Sequence, residues 1–461
     1  MSTAAYITSA IVEWARSRAG ISPEQLASSL KVPTATVLAW EKGEVKPTFT
    51  RAEALAKRLR IPFGYLFLSK PPDDGIPLPD LRTETGQRPQ QPSLDFIEIV
   101  RTTLLKQQWY SDYLKEIDRE KLPFVGSARI GSSVVKAAAE MRRWLGITPQ
   151  MRERCVSWEQ FKTEFVRQTE SIGVLVMRSG VAGNNLRRLA VREFRGFAIV
   201  DSLAPTVFIN SRDAKSAQIF TLAHELVHIW LGESGVSNPN PTKRSTEETN
   251  VIEQFCNRVA AELLVPSEGV SETWNRRETI EKNIQRLASI YRVSRYVVAR
   301  QVYELDHLTR DQYLDYLDQY KTLWKPKEDG TDEESGGNFY VTFFARNSLT
   351  LVAGIVRALG ENRITYRDAS TLLSVKIATL KICCCQQTVP QQSGRALPFL
   401  RSYQLVPETT GYISQQLRAV GTPPVFAMRV QPRFLGTERR RPQLDRPVSR
   451  LGSCCLAGVV E

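Results

Sequence analysis

Apolar residues recur at helical spacing through residues 7–70. Ile11, Trp14 and Ala15 form the stripe of a first helix. Ser22-Pro23-Glu24 starts a second, with proline in the first turn, and Leu26, Ala27 and Leu30 form its apolar side. After a break at Lys31-Val32-Pro33 a third helix runs from Thr34 to Glu41; Gly43 stops it and Pro47 bars its return. A fourth, Arg51 to Arg60, turns Ala54, Leu55 and Leu59 inward. Two short helices divided by a three- or four-residue turn make a helix-turn-helix unit.

The pattern then lapses. Residues 71–95 are rich in proline and polar residues and read as a linker. Amphipathic helices are predicted over Phe96–Lys121, Ser132–Leu145 and Trp158–Thr169. From Gly173 the period shortens to that of strands, at Val174–Met177, Phe194–Val200 and Thr206–Asn210. Helices return at Thr221–Gly232, at Ser245–Pro266 and twice within residues 278–303. Residues 325–337 are charged and Gly-rich and read as a loop, and Asn338–Lys381 is helical again. No lysine follows Lys381, while arginine, proline, glutamine and cysteine rise; residues 382–461 are expected to be a poorly ordered, frame-shifted extension. The expected fold class is multidomain: an all-α helix-turn-helix domain (7–70), the linker, an α+β domain (96–280), a helical region (281–381) and the disordered tail.

The chemistry concentrates in TLAHELVHIWLG, residues 221–232. His224, Glu225 and His228 stand as H-E-x-x-H, and the chain has three histidines in all. Helix positions i and i+4 share a face, so both imidazoles can meet one ion while Glu225 reaches a water held there. The bland alternative is a buried helix whose histidines are satisfied by core hydrogen bonds. A catalytic zinc site takes a third protein ligand. His307 lies in a polar segment without a path to the site, so a carboxylate is the better candidate. The helix from Ser245 opens with a capping box to Glu248 and stops at Pro266. Val251, Ile252, Phe255, Val259, Leu263 and Leu264 make its apolar face, and Glu253 sits beside that face. Glu247, Glu248 and Glu262 are expected on a solvated face or at a helix end. On spacing alone Glu253 is either the third ligand or a surface glutamate.

The HELVHIWLG helix followed by E-x-x-C-N-R-V-A-A-E-L-L-V-P resembles the ImmA/IrrE family of metallopeptidases. The resemblance implies a zincin fold with His224, His228 and Glu253 on the metal and Glu225 as general base. The chain departs from the family pattern at Cys256, where alanine is usual, and at Val259, where phenylalanine is usual; a thiolate ligand at Cys256 is a weaker alternative. In zincins a strand beside the active-site helix pairs with the substrate backbone; here it is expected in Gly196–Asp201 or Thr206–Asn210. R-L-A-S-I-Y-R-V-S, inside 278–303, resembles a second helix-turn-helix-like unit whose expected role is packing or docking. Residues 7 to about 68, through S-P-E-Q-L-A, V-P-T-A-T-V-L-A-W-E-K-G and P-T-F-T, resemble the Cro/repressor-type DNA-binding domains. That likeness sets Thr34, Ala35, Thr36 and Ala39 toward base edges and Lys42 and Lys46 toward phosphates. Thr and Ala at those positions imply weak sequence readout, and such modules also serve as docking units.

Length and charge frame the rest. At 461 residues two or three domains are expected, and the net charge of +13 suits a polyanion partner where it is clustered. Residues 1–70 hold ten basic against five acidic residues. No run of eighteen apolar residues exists and the start lacks a basic n-region followed by an apolar h-region, so no membrane and a cytoplasmic location are expected. Seven cysteines, five of them in the last eighty residues and none in a C-x-x-C pair, form neither a disulfide framework nor a tail zinc site. The expected activity is a Zn2+-dependent (or Mn2+-dependent) endopeptidase acting on a helix-turn-helix repressor. Expected partners are DNA, that protein substrate and a second copy of the chain. The competing reading is a DNA-binding regulator or antitoxin-like protein whose metal domain senses a ligand without proteolysis.

Overall fold

The computed structural model describes residues 3–72, 78, 92–183, 187–237, 251–323 and 339–380. Most of the proline-rich linker, Ser245, Glu247, Glu248, the 325–337 loop and the 382–461 extension lie outside the described residues.

Four helices, α1 (Ser9–Arg18), α2 (Pro23–Leu30), α3 (Thr34–Lys42) and α4 (Phe49–Leu59), and a 3-10 turn at Phe63–Phe67 enclose a core of their own. Ile11, Ala15, Leu26, Val37, Trp40, Leu55, Leu59 and Leu66 fill it. Local chemistry sets the turns. Ser22 caps α2 in a reciprocal box with Gln25, and Lys31 ends that helix in the left-handed conformation (φ 54°). Gly43 (φ 76°) ends α3 in the same way.

The second part starts at α5 (Leu94–Glu116), capped by Ser93, so the last linker residues are already helical. Then come α6 (Val134–Trp144), α7 (Pro149–Arg154), α8 (Trp158–Ser171), β1 (Leu175–Ser179), β2 (Gly196–Ile199), β3 (Thr206–Asn210), α9 (Ala217–Leu231) and β4 (Gly235–Ser237). They are followed by α10 (Val251–Leu264), α11 (Ser267–Thr273), α12 (Ile280–Tyr291), α13 (Arg295–Glu304), α14 (Arg310–Leu323), α15 (Phe339–Asn347), α16 (Leu349–Gly360) and α17 (Tyr366–Leu373). The architecture is multidomain, with an α+β part built on one small mixed sheet.

The sheet runs β1-β3-β2-β4; β1 pairs parallel with β3, and β2 pairs antiparallel with β3 and β4. Both faces are covered, so all residues of β2 and β3 are buried. The strand alternation sorts side chains between two cores. Val176, Ala198, Val207 and Ile209 face α9 and α10. Met177, Phe197, Ile199 and Phe208 face α5 and α16. The helices beyond 280 join these same two cores: α12, α13 and α14 lie with α9 and α10, and α16 and α17 with α5.

One expectation is corrected here. Gly196–Asp201 and Thr206–Asn210 cannot offer a free edge to a substrate, because β2 and β3 are paired on both sides. The described edges are β1 and β4, and β4 was not foreseen: three residues between a helix end and the next segment carry no alternation to read. The likeness of 278–303 to a helix-turn-helix holds at the turn, where Arg292 is left-handed (φ 55°). Val297–Val302 of α13 are all buried, so that helix packs under α10 and presents no continuous reading face, in keeping with a packing role. Among the described residues no single helix is long and apolar enough to cross a membrane.

Candidate metal centre

α9 is buried along its length because it lies between the sheet and α10. Residues 222–230 are all buried, and His224, Glu225 and His228 are fully so. Gly232 ends the helix at φ 79°, with Glu233 N donating to His228 O at 3.1 Å, a Schellman closure. The i, i+4 spacing brings the imidazoles together, with Nε2 of His224 3.2 Å from Nε2 of His228.

α10 supplies the third group. Glu253 Oε2 lies 3.2 Å from His224 Nε2, and Oε1 lies 3.3 Å from His228 Nε2. Oε1 is buried without a hydrogen-bond donor despite that proximity, and Nδ1 of each histidine is buried without a partner among the described residues. Protons alone therefore satisfy this cluster poorly. A shared cation satisfies it well: a tetrahedral ion with bonds of about 2.0 Å spaces its donors by about 3.3 Å. The donor set of two imidazoles and a carboxylate suits zinc.

Electrostatics agree. Burial penalises the Glu253 carboxylate, yet the two imidazoles outweigh it and hold the group down at about 2. Burial lowers His224 despite Glu253. At His228 burial is outweighed by Cys256 and Glu253, which raise it. The low value of Glu253 and the raised His228 share one cause, an ionised carboxylate that favours positive charge beside the rings.

Cys256, one turn along α10 and fully buried, belongs to the same cluster. Its Sγ and one ring nitrogen each of His224 and His228 all lie within 4.8 Å of one another. Asn257 sits beside His224, and its buried Oδ1 lacks a hydrogen-bond partner in the same way as His224 Nδ1. An amide so placed can orient a ligating imidazole through Nδ1–H. Asn257 was not among the expected site residues, although it stands in the E-x-x-C-N-R stretch, one turn from Glu253.

Glu225 leans on the sheet. A Cβ added to Gly196 would stand 2.9 Å from Glu225 Oε1, 2.7 Å from Thr221 Cγ2 and 3.0 Å from Phe208 O. Gly196 therefore leaves the space in which the Glu225 carboxylate rests. Gly196→Ala is expected to displace that carboxylate, lowering hydrolysis by about 100-fold and stability by about 1–3 kcal/mol. Metal content by atomic absorption should stay near one ion per chain; a fully active alanine variant removes this role for Gly196.

Other expectations change. Glu262 is not solvated: it is buried and accepts from Ser267 N at 3.0 Å and from Gln301 Nε2 at 2.6 Å, tying α10 to α11 and α13. His307 stands apart, stacked on Trp274 with ring centres 5.0 Å apart. On α3, Ala35 and Lys42 are exposed, and Thr34, Thr36 and Ala39 are half-buried. Leu38 is 40 % exposed on that helix, an apolar side chain among the polar and small ones. Lys46 is exposed, but its Nζ donates to Ile7 O at 3.4 Å, so part of its capacity is spent within the domain.

No curated protein and no solved structure gave a significant match to the chain. Two family models do match: the helix-turn-helix model over residues 12–66 and the IrrE N-terminal-like domain of the M78 peptidases over residues 169–303. The second span contains the whole His224, Glu225, His228 and Glu253 constellation. The chain therefore joins a segment similar to DNA-binding helix-turn-helix domains to one similar to the IrrE-type metallopeptidases.

Proposed function

We propose that the protein is a site-specific metallo-endopeptidase that cuts a helix-turn-helix repressor. The observation carrying this reading is the meeting of the two imidazole nitrogens and the Glu253 carboxylate at 3.2–3.3 Å in a buried cluster. His224, His228 and Glu253 would hold the ion, zinc by donor chemistry. When bound, such an ion polarises a carbonyl and lowers the pKa of water to about 7. Glu225 takes the proton of the attacking water and returns it to the departing amine. Its burial keeps bulk water from competing for that proton. The outer side of β4, an edge among the described strands, is the place for an extended substrate to add as a further strand.

The helix-turn-helix segment supports recruitment to DNA. Thr34, Ala35, Thr36 and Ala39 are assigned to the groove and Lys42 and Lys46 to the phosphates. A repressor bound at a neighbouring operator then lies within reach.

The test is intact-mass analysis of helix-turn-helix repressors incubated with the full-length protein. A single cut is expected, lost on chelation and restored by one equivalent of zinc. Cleavage that survives exhaustive chelation rules out the metal-dependent reading. A second reading, sensing without turnover, draws support from Cys256, a donor that a peptidase site does not need.

A further inference from the structure

Resting on the metal site above, we infer that Cys256 is itself a ligand to the same ion, so that His224, His228, Glu253 and Cys256 form a closed four-donor shell. Three observations carry this. The Cys256 sulfur forms a mutually close set with one ring nitrogen of each histidine, all within 4.8 Å. It is fully buried. Glu253 and Cys256 are three residues apart on α10, which puts both side chains on the face turned to α9.

The chemistry is consistent. Thiolate is a softer donor than carboxylate and binds zinc readily. A buried thiol that served only to fill space would be matched by alanine or valine, with no need to aim sulfur at two imidazoles. The consequence is functional. Structural zinc sites are closed and catalytic ones keep a position open. With four protein donors the resting site has no place for water, and hydrolysis requires one donor to withdraw. Cys256 would then set a latent resting state, distinct from the open three-ligand site.

The experiment uses cobalt as the probe. The parent is the full chain with Cys383, Cys384, Cys385, Cys454 and Cys455 changed to serine, which leaves Cys155 and Cys256. Cobalt-loaded parent is expected to bind one ion and to show a thiolate-to-cobalt charge-transfer band in the near ultraviolet. In Cys256→Ala the band should vanish. Affinity by chelator competition should fall by more than the 10–100-fold that loss of a supporting contact costs. One tightly bound cobalt without the band, and unchanged affinity in Cys256→Ala, overturns the inference and leaves the three-ligand site standing. No stoichiometric cobalt in the parent overturns both. If Cys256→Ala does not fold, the parent spectrum decides alone, because Cys155 lies in an apolar core outside the donor cluster.

Discussion

Glu225→Gln is expected to lower peptide hydrolysis by about 10²–10⁴-fold, the range for loss of a positioned general base. Bound metal should be unchanged, because the ion is assigned to His224, His228 and Glu253. Glutamine has the same shape, so the contact with Gly196 survives and only proton transfer is removed. Turnover on an identified repressor, beside metal content on the same sample, separates the two effects. Hydrolysis within threefold of the parent would remove Glu225 from the mechanism; loss of metal would show that it binds the ion instead.

The largest effect on stability is expected at Arg152, a residue with no part in the chemistry. Its guanidinium is buried between the rings of Phe161 and Tyr291, at 4.7 and 5.3 Å. Nη2 donates to Leu264 O at 2.8 Å, and Nη1 donates to Tyr291 O. Those carbonyls close the last turns of α10 and α12, where no intrahelical donor is left. Burial lowers Arg152 to about 10, so it stays charged at neutral pH. Arg152→Ala strips both carbonyls of a donor and leaves a void, at a cost of about 3–5 kcal/mol. Urea unfolding followed by tryptophan fluorescence measures it, and a change under 1 kcal/mol contradicts the assignment. Arg152→Lys should recover only part, because one ammonium cannot serve two divergent carbonyls. α10 also carries Glu253, so metal affinity should fall with stability.

Cys256 already stands out in the sequence as a departure from the family pattern and a weaker ligand candidate, whereas the role of Gly196 emerges only when neighbouring elements are in place, because a strand glycine is an ordinary residue. The same holds for Glu262. Its position near a helix end suggested solvent, whereas Ser267 and Gln301 enclose it from two other helices.

What the sequence determined by itself was local. The pairing of His224 with His228 follows from helix pitch. The turns at Lys31 and Gly43 follow from capping and left-handed residues, and the strand Thr206–Asn210 follows from its run of β-formers between turn residues. Only the tertiary structure decided which strands lie at the sheet edge, that the Glu253 carboxylate meets the histidines, and that Cys256 arrives with it. The reason is geometric. Periodicity states which side chains share a face of one element, but whether donors on two helices meet within bonding range depends on how those helices rotate and approach. That is settled by the packing of α9 between the sheet and α10, which no single stretch of the chain encodes.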